Sequence, residues 1–255
     1  MNSSHLPGKF VWFEHASADP RRARAFYEPL FGWHFESVPM GAASYSMIVG
    51  PAGEGIGGLI AASDTGPARW TSYLSVADVD AACATALAAG ARSRAAPADV
   101  AGHGRGALIV DPTGAEVWLW RSDRGDRPDP AETPVGGWFW NELETPDAKT
   151  ALAFYERVAG YTHEAMDMGP HGTYYLLKGA GGVARAGVMQ TTMSPPLWLP
   201  YVRVADCDAS AAQAGTLGAQ VVVAPTDIPG VGRFAVLIDP QGAGVAVMKG
   251  QPARE

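Results

Sequence analysis

Glu14 and Glu142 stand 128 residues apart, and each follows a tryptophan, Trp12 or Trp140, by two positions. In an extended strand that spacing puts the indole and the carboxylate on one face. A carboxylate buried there without a partner titrates above its usual range and serves as a general acid or base. One that meets an arginine is structural instead, and Arg105 and Arg233, again 128 residues apart, are the repeated candidate partners. Glu116 shares a face with Trp118 and Trp120, but Gly244 replaces it in the repeat, which makes it an asymmetric third candidate. Tyr45 and Tyr174 complete the set. Tryptophan and tyrosine offer flat apolar surface with a hydrogen-bonding handle, as the lining of a small-molecule pocket requires. The same rings can equally plug a cavity.

Other chemistries find less support. His15 lies on the strand face opposite Glu14 and reads as a core residue, while His34 and His163 follow helix-ending glycines. His103 is matched by Val231, and His171 sits in Gly169-Pro170-His171-Gly172, a candidate lid. The stretches Gly53–Gly58 and Gly179–Gly182 read as mobile rim loops, not phosphate cradles, and no G-x-S-x-G nucleophile elbow occurs. Cys83 and Cys207 show no disulfide or metal-site spacing. The expectation is therefore no cofactor and no metal.

The elements that position these residues are written twice. A shift of 128 carries Phe26-Tyr27-Glu28 onto Phe154-Tyr155-Glu156 and Gly32 onto Gly160. It also carries Trp70 and Tyr73 onto Trp198 and Tyr201, and Asp111-Pro112 with Gly114 onto Asp239-Pro240 with Gly242. The reading is a first module over 1–121, a Pro-rich linker over 122–137 and a second module over 138–255. Each copy predicts an aromatic strand (Phe10–Ser17, Trp138–Glu144), then a helix opened by Asp19-Pro20 or Thr145-Pro146 and stopped at Gly32 or Gly160. Strands follow at Tyr45–Val49 and Tyr174–Lys178, and at Trp70–Val76 and Trp198–Val204. Ala-rich helices then begin at Asp78 and Asp206. An Asp-Pro-x-Gly turn closes a last hairpin in each copy. Strand–helix–strands, repeated, is an α+β sheet with helices on one face.

Composition sets the outer limits. With 255 residues, 47% hydrophobic and 18% charged, the chain is apolar enough to bury a core. Its 31 glycines and 20 prolines are then turns between short elements. Nineteen Lys and Arg against 26 Asp and Glu, a net charge of −7, argue against nucleic acid as a partner. No window is apolar enough for a membrane span, and Met1–Lys9 lacks the apolar stretch of a secretory signal. A cytoplasmic protein without a membrane partner, monomeric or homodimeric, is the expectation.

With its repeat, its Phe-Tyr-Glu helix and its Asp-Pro-x-Gly hairpin, the sequence resembles the vicinal oxygen chelate superfamily of glyoxalase I, bleomycin-resistance and extradiol-dioxygenase proteins. The resemblance spans nearly the whole chain and is closest to a two-module glyoxalase-like branch. It implies tandem βαβββ modules whose curled mixed sheets enclose ligand cavities, with helices outside. It also implies metal ligands on the first strand, fourteen residues before the Phe of Phe-Tyr, and on the last strand, seven after the Asp of Asp-Pro. Here those positions are Trp12 and Trp140, Trp118 and Ala246, and none of them coordinates a cation. The mapping makes the face of Trp12 and Trp140 the cavity face, so that Glu14 and Glu142 point inward.

The favoured expectation is a metal-independent protein that binds, and in an enzyme would transform, a small apolar or aromatic ligand lined by Trp12, Tyr45, Arg105, Trp118, Trp140, Tyr174 and Arg233. The alternative is a lyase, isomerase, dioxygenase or hydroxylase with a metal relocated to Glu14, Glu142 or Glu116. A third class is an interaction protein whose cavities are filled by its own side chains.

Overall fold

The computed structural model describes residues 4–40, 43–62, 66–169, 172–192 and 194–251, so the lid assigned to His171 lies outside the described residues. The first half runs β1 (Phe10–Ser17), α1 (Pro20–Phe31), β2 (His34–Met40), β3 (Ala43–Val49), β4 (Gly55–Ala61), β5 (Arg69–Ser75), α2 (Val79–Ala88), β6 (Arg92–Val100), β7 (Gly104–Val110) and β8 (Glu116–Ser122). The second half repeats it as β9 (Trp138–Thr145), α3 (Ala148–Ala159), β10 (Thr162–Asp167), β11 (Thr173–Lys178), β12 (Ala184–Gln190), β13 (Leu197–Arg203), α4 (Cys207–Thr216), β14 (Gln220–Ile228), β15 (Gly232–Ile238) and β16 (Gly244–Gly250). Each half forms one eight-stranded mixed sheet, in the orders β2-β3-β4-β1-β5-β8-β7-β6 and β10-β11-β12-β9-β13-β16-β15-β14. Within each βαβββ unit the first strand pairs in parallel with the last, for example β1 with β4 and β13 with β16. The α+β class and the tandem βαβββ plan are those implied above.

Local chemistry sets the helix ends. The Asp19 carboxylate accepts the amides of Arg21 and Arg22, Pro20 opens α1, and Gly32 closes it at φ 67° with its amide on the Glu28 carbonyl. The second copy differs from expectation at its start. Asp147, not Thr145, caps α3, while the Thr145 hydroxyl accepts the Asp147 amide one step earlier. Asp78 and Asp206 cap α2 and α4 in the same manner.

The glycine-rich stretch before Leu59 departs further from its reading as a rim loop. Gly57 and Gly58 lie inside β4, opposite Phe13 and Glu14 on β1. A Cβ at Gly57 would overlap the Phe13 carbonyl oxygen, so glycine here admits a close strand rather than a flexible turn. The run leads into a strand and not a helix N-terminus, which removes a phosphate cradle. Strands β4 and β12 have no counterpart among the strands of the sequence reading, and neither do β2, β6, β10 and β14. The last four are the sheet edges, largely exposed, and lack the alternation on which that reading relied.

The chain packs as two compact units, each drawing on both halves: Met1–Trp12, Thr71–Asp129 and Trp140–Trp198 in the first, and Phe13–Trp70, Pro130–Phe139 and Leu199–Glu255 in the second. The first unit's core gathers Leu74, Ile109, Val117, Leu119, Leu143, Phe154 and Leu177 between α2, α3 and the sheets. The second is dominated by rings, with Tyr27 and Trp33 each 4.8–6.1 Å from Phe31 and Trp70 and 5.7 Å from each other, and Trp138 stacked on Phe13 at 4.3 Å. The repeated motifs meet inside these units. In the second, the Trp70 indole donates to the Tyr27 hydroxyl (2.9 Å), which donates to Asp239 (2.9 Å) of the β15–β16 turn. In the first, Trp198 donates to Tyr155 (2.8 Å), and Tyr155 donates to Asp111 (2.9 Å) of the β7–β8 turn. The other carboxylate oxygen of each aspartate takes turn amides, those of Thr113, Gly114 and Ala115 or of Gln241 and Ala243. His15 is fully buried and adds a 2.8 Å bond to Asp239, while Leu143 stands at the equivalent place.

Burial first, then the charge of Asp239 or Asp111, pushes the Tyr27 and Tyr155 hydroxyls well above their usual range, so both act as neutral donors. Replacing either tyrosine by Phe orphans an indole donor and removes a donor from a buried carboxylate. Each substitution should cost about 1–3 kcal/mol in urea unfolding; a loss within error of zero would show that the relay is ornamental. Burial raises the Asp239 carboxyl, but its bond to His15, the His15 charge and the turn amides outweigh this and hold it below the usual range. The stabilisation is then full above the unfolded carboxyl value of about 4 and is lost as pH falls through the lower folded value. Asp239→Asn should accordingly flatten the acid limb of the stability–pH curve below about pH 4.

Candidate functional site

The sheet face turned away from the helices is set by alternation. On β9, Leu143 enters the core while Trp140, Glu142 and Glu144 stay half-buried on the other side. On β12, Ala186 and Val188 enter the core, which leaves Gly187 and Met189 beside Glu142 and Glu144. Tyr174 on β11 lies opposite Met189, and its ring crosses the strand diagonally over Gly187, where a Cβ would overlap the phenol. The hydroxyl thereby donates to Glu142 and accepts the Trp140 indole N–H at 2.8 Å. Burial, then the Glu142 charge, raises the Tyr174 hydroxyl well above its usual range, so it stays a neutral donor. Glu144 accepts the hydroxyl of Ser194.

The second unit repeats the core of this arrangement. Tyr45 donates to Glu14 at 3.1 Å, and its ring occupies the space over Gly58. Gly58 and Gly187 are 129 residues apart, the offset that also separates Tyr45 from Tyr174. That shared offset was the available signal for the two glycines, of which the sequence reading assigned Gly58 to a loop and gave Gly187 no role.

Trp118 lies on the corresponding face of β8, between the core residues Val117 and Leu119. It is paired in register with Tyr73 and stacks on it at 5.3 Å and 21°, while Trp120 meets Tyr73 edge-on at 5.6 Å. Gly106 on β7 leaves room for both indoles. Tyr73 was visible as part of the repeat but was not placed in the site. In the second copy Ala246 replaces Trp118 opposite Tyr201, and Phe234, at the position of Gly106, stacks on Tyr201 instead at 6.4 Å and 27°. A ring thus covers the tyrosine in both copies, from different strands. Trp12 is half-buried on β1.

Other candidates are placed elsewhere. Arg105 and Arg233 were candidate partners of the glutamates and ligand contacts. Arg105 instead forks onto Asp80 of α2 (2.7 and 2.8 Å) and reaches Asp99 (2.8 Å). Arg233 forks onto Asp208 of α4 (2.7 and 2.9 Å) and reaches Asp227 (3.1 Å). The reason is alternation: both arginines occupy the parity of the helix-facing residues of β7 and β15, and their fork suits a carboxylate at a helix start. Hydrogen bonding to these guanidiniums holds Asp80 and Asp208 below the usual carboxyl range. Glu116 pairs with Arg94 at 3.2 Å. Where the superfamily resemblance implies metal ligands stand Trp12, Trp118, Trp140 and Ala246, which supply no imidazole, carboxylate or thiolate. Among the described residues no group of three or more His, Cys, Asp or Glu is placed to hold an ion.

The tyrosine–glycine pairing is testable. Gly187→Ala should force the Tyr174 phenol off Glu142 and destabilise the protein by about 1–3 kcal/mol. The double variant Gly187→Ala/Tyr174→Ala should lose clearly less than the sum of the two singles, because both act on one contact. Additive losses in chemical denaturation would contradict the packing described.

Residues 12–120 match the glyoxalase-like domain family. The protein CFP32 of Mycobacterium tuberculosis (strain CDC 1551 / Oshkosh) is 39% identical over 257 residues, 98% of each chain. The anthracycline biosynthesis protein DauV of Streptomyces sp. (strain C5) is 33% identical over 266 residues, 95% of this chain and 94% of its own. Among solved structures, the Mn(II)-bound glyoxalase from Novosphingobium aromaticivorans aligns with a TM-score of 0.65 at 19% identity, over 96% of this chain and 82% of that one. An E323L mutant of homoprotocatechuate 2,3-dioxygenase from Brevibacterium fuscum aligns at 0.69 and 14%, over 97% and 72%. At those identities the structural likeness speaks for the fold alone. Sequence likeness over nearly the full length goes further: this chain belongs to the glyoxalase-like proteins of the vicinal oxygen chelate superfamily.

Proposed function

We propose that the protein binds a small, largely apolar or aromatic molecule on the aromatic-lined faces of its sheets, without a metal at the superfamily positions. The observation that carries this reading is the exchange of donor atoms for rings. The position on β8 that aligns with a metal ligand holds Trp118, stacked on Tyr73. Two indoles and a phenol on one face supply dispersion and quadrupole attraction to a planar ligand, about 0.5–1.5 kcal/mol per stacked ring beyond simple burial. An indole N–H donates only and offers no lone pair to coordinate a metal ion. A relative of similar length named for anthracycline biosynthesis agrees with a small-molecule role.

Within this reading the glutamates orient the ligand. Each holds a tyrosine hydroxyl, so a polar ligand group that reaches them joins an existing hydrogen-bonded chain. A metal relocated to Glu14, Glu142 or Glu116 gains no support from the geometry, because Tyr45, Tyr174 and Arg94 already engage those carboxylates.

Naphthalene-methanol should quench the tryptophan fluorescence saturably and equally with or without a chelator. Trp118→Ala should weaken it by about 2–10-fold, the equivalent of one stacked ring. Binding that vanishes in chelator and returns with one equivalent of a divalent ion would defeat the metal-free reading.

A further inference from the structure

Two polar atoms deep in the second unit are left unmet by the protein itself. His15 and Ser17 are both fully buried, and the His15 Nδ1 and the Ser17 hydroxyl find no hydrogen-bonding partner among the described residues. The two residues stand on one side of β1, two positions and about 7 Å apart at Cα. His15 has no freedom to turn this nitrogen elsewhere. Asp239 holds its Nε2 at 2.8 Å, and the rings of Tyr27 and Trp70 meet it edge-on with centroids 5.5 and 5.0 Å away. A buried polar atom without a partner is costly, and two of them side by side call for one group that meets both.

The first unit has no such demand at the equivalent place. Leu143 stands for His15 and brings no polar side-chain atom. Thr145 stands for Ser17, and its hydroxyl accepts the Asp147 amide at 3.2 Å. The unmet pair is therefore confined to the copy that carries the histidine.

We propose that the second unit binds one internal water molecule between His15 Nδ1 and Ser17 Oγ, which extends the Trp70–Tyr27–Asp239 relay. Two hydrogen bonds set end to end reach about 5.5 Å, a span that suits two short side chains on alternate strand positions. Water meets the imidazole in either protonation state. It donates to the bare nitrogen of the neutral ring and accepts the N–H of the charged one, and the Ser17 hydroxyl answers it both ways. A metal ion does not fit, because among the described residues no three His, Cys, Asp or Glu are placed to hold one. Ser17 is thereby a positioning residue: through the water it orients His15, and through His15 it orients Asp239.

The test is a crystal structure of the full-length protein at a resolution that shows ordered water. One water should lie about 2.6–3.2 Å from both His15 Nδ1 and Ser17 Oγ. None should lie between Leu143 and Thr145, which serve as the control in the same map. In solution, Ser17→Ala should lower the urea midpoint in the wild type and clearly less in a His15→Leu background, because both changes act on one bridged contact. Leu143 shows that the scaffold accepts leucine at this place. No density between the two atoms, a direct contact between them, or equal losses from Ser17→Ala in the two backgrounds overturns the assignment.

Discussion

The fold depends on a buried relay, Trp70 to Tyr27 to Asp239 in one unit and Trp198 to Tyr155 to Asp111 in the other. Each relay joins a helix tyrosine from one half of the sequence to a hairpin aspartate from the other. A carboxylate can be taken out of water only if its lone pairs are met, and here the turn amides meet one oxygen and the tyrosine meets the other. The indole in turn occupies the tyrosine hydroxyl as an acceptor. Removing any member leaves a buried polar group unpaired, so the three residues stand or fall together. This explains why Phe-Tyr-Glu and Asp-Pro-x-Gly both recur. They are the two sides of one contact, made twice.

With the relays fixing the helices against the sheets, the contents of the two copies have diverged elsewhere. His15 against Leu143, Ala16 against Glu144 and Trp118 against Ala246 are exchanges between places the fold treats as equivalent. Some are compensated. Phe234 brings a ring to Tyr201 where Ala246 has none, so a stacked aromatic pair persists although its strand of origin changes. Others exchange character, as where Glu144, which accepts the Ser194 hydroxyl, stands at the place of the buried Ala16. Divergence that preserves packing maintains the scaffold.

The glutamate-bearing strands show the same economy. Each glutamate is reached by a tyrosine from two strands away, and this is possible because the strand between carries glycine. A glycine in a strand weakens it locally, since it packs no side chain. Here the phenol fills that space, and the polar contact and the packing contact are one interaction.

Much of this protein was legible in its sequence. The repeat, the α+β order, the helix caps and glycine stops, and the face shared by Trp140 and Glu142 all follow from rules that act within a few residues: alternation, capping and turn chemistry. The edge strands were not legible, because an exposed edge needs no hydrophobic pattern. Gly58 misled as a loop signal and Gly187 went unread, because the purpose of both is a ring that arrives from a neighbouring strand. Arg105 and Arg233 were visible as a pair but not their partners, since a charge alone does not say which carboxylate lies near. The sequence by itself determined which elements form and which residues share a face, as those choices are local. Only the tertiary structure decided that Tyr27 answers Asp239, that Tyr155 answers Asp111, and that each compact unit draws on both halves. Those choices are made by burial, which brings together residues that no local rule connects.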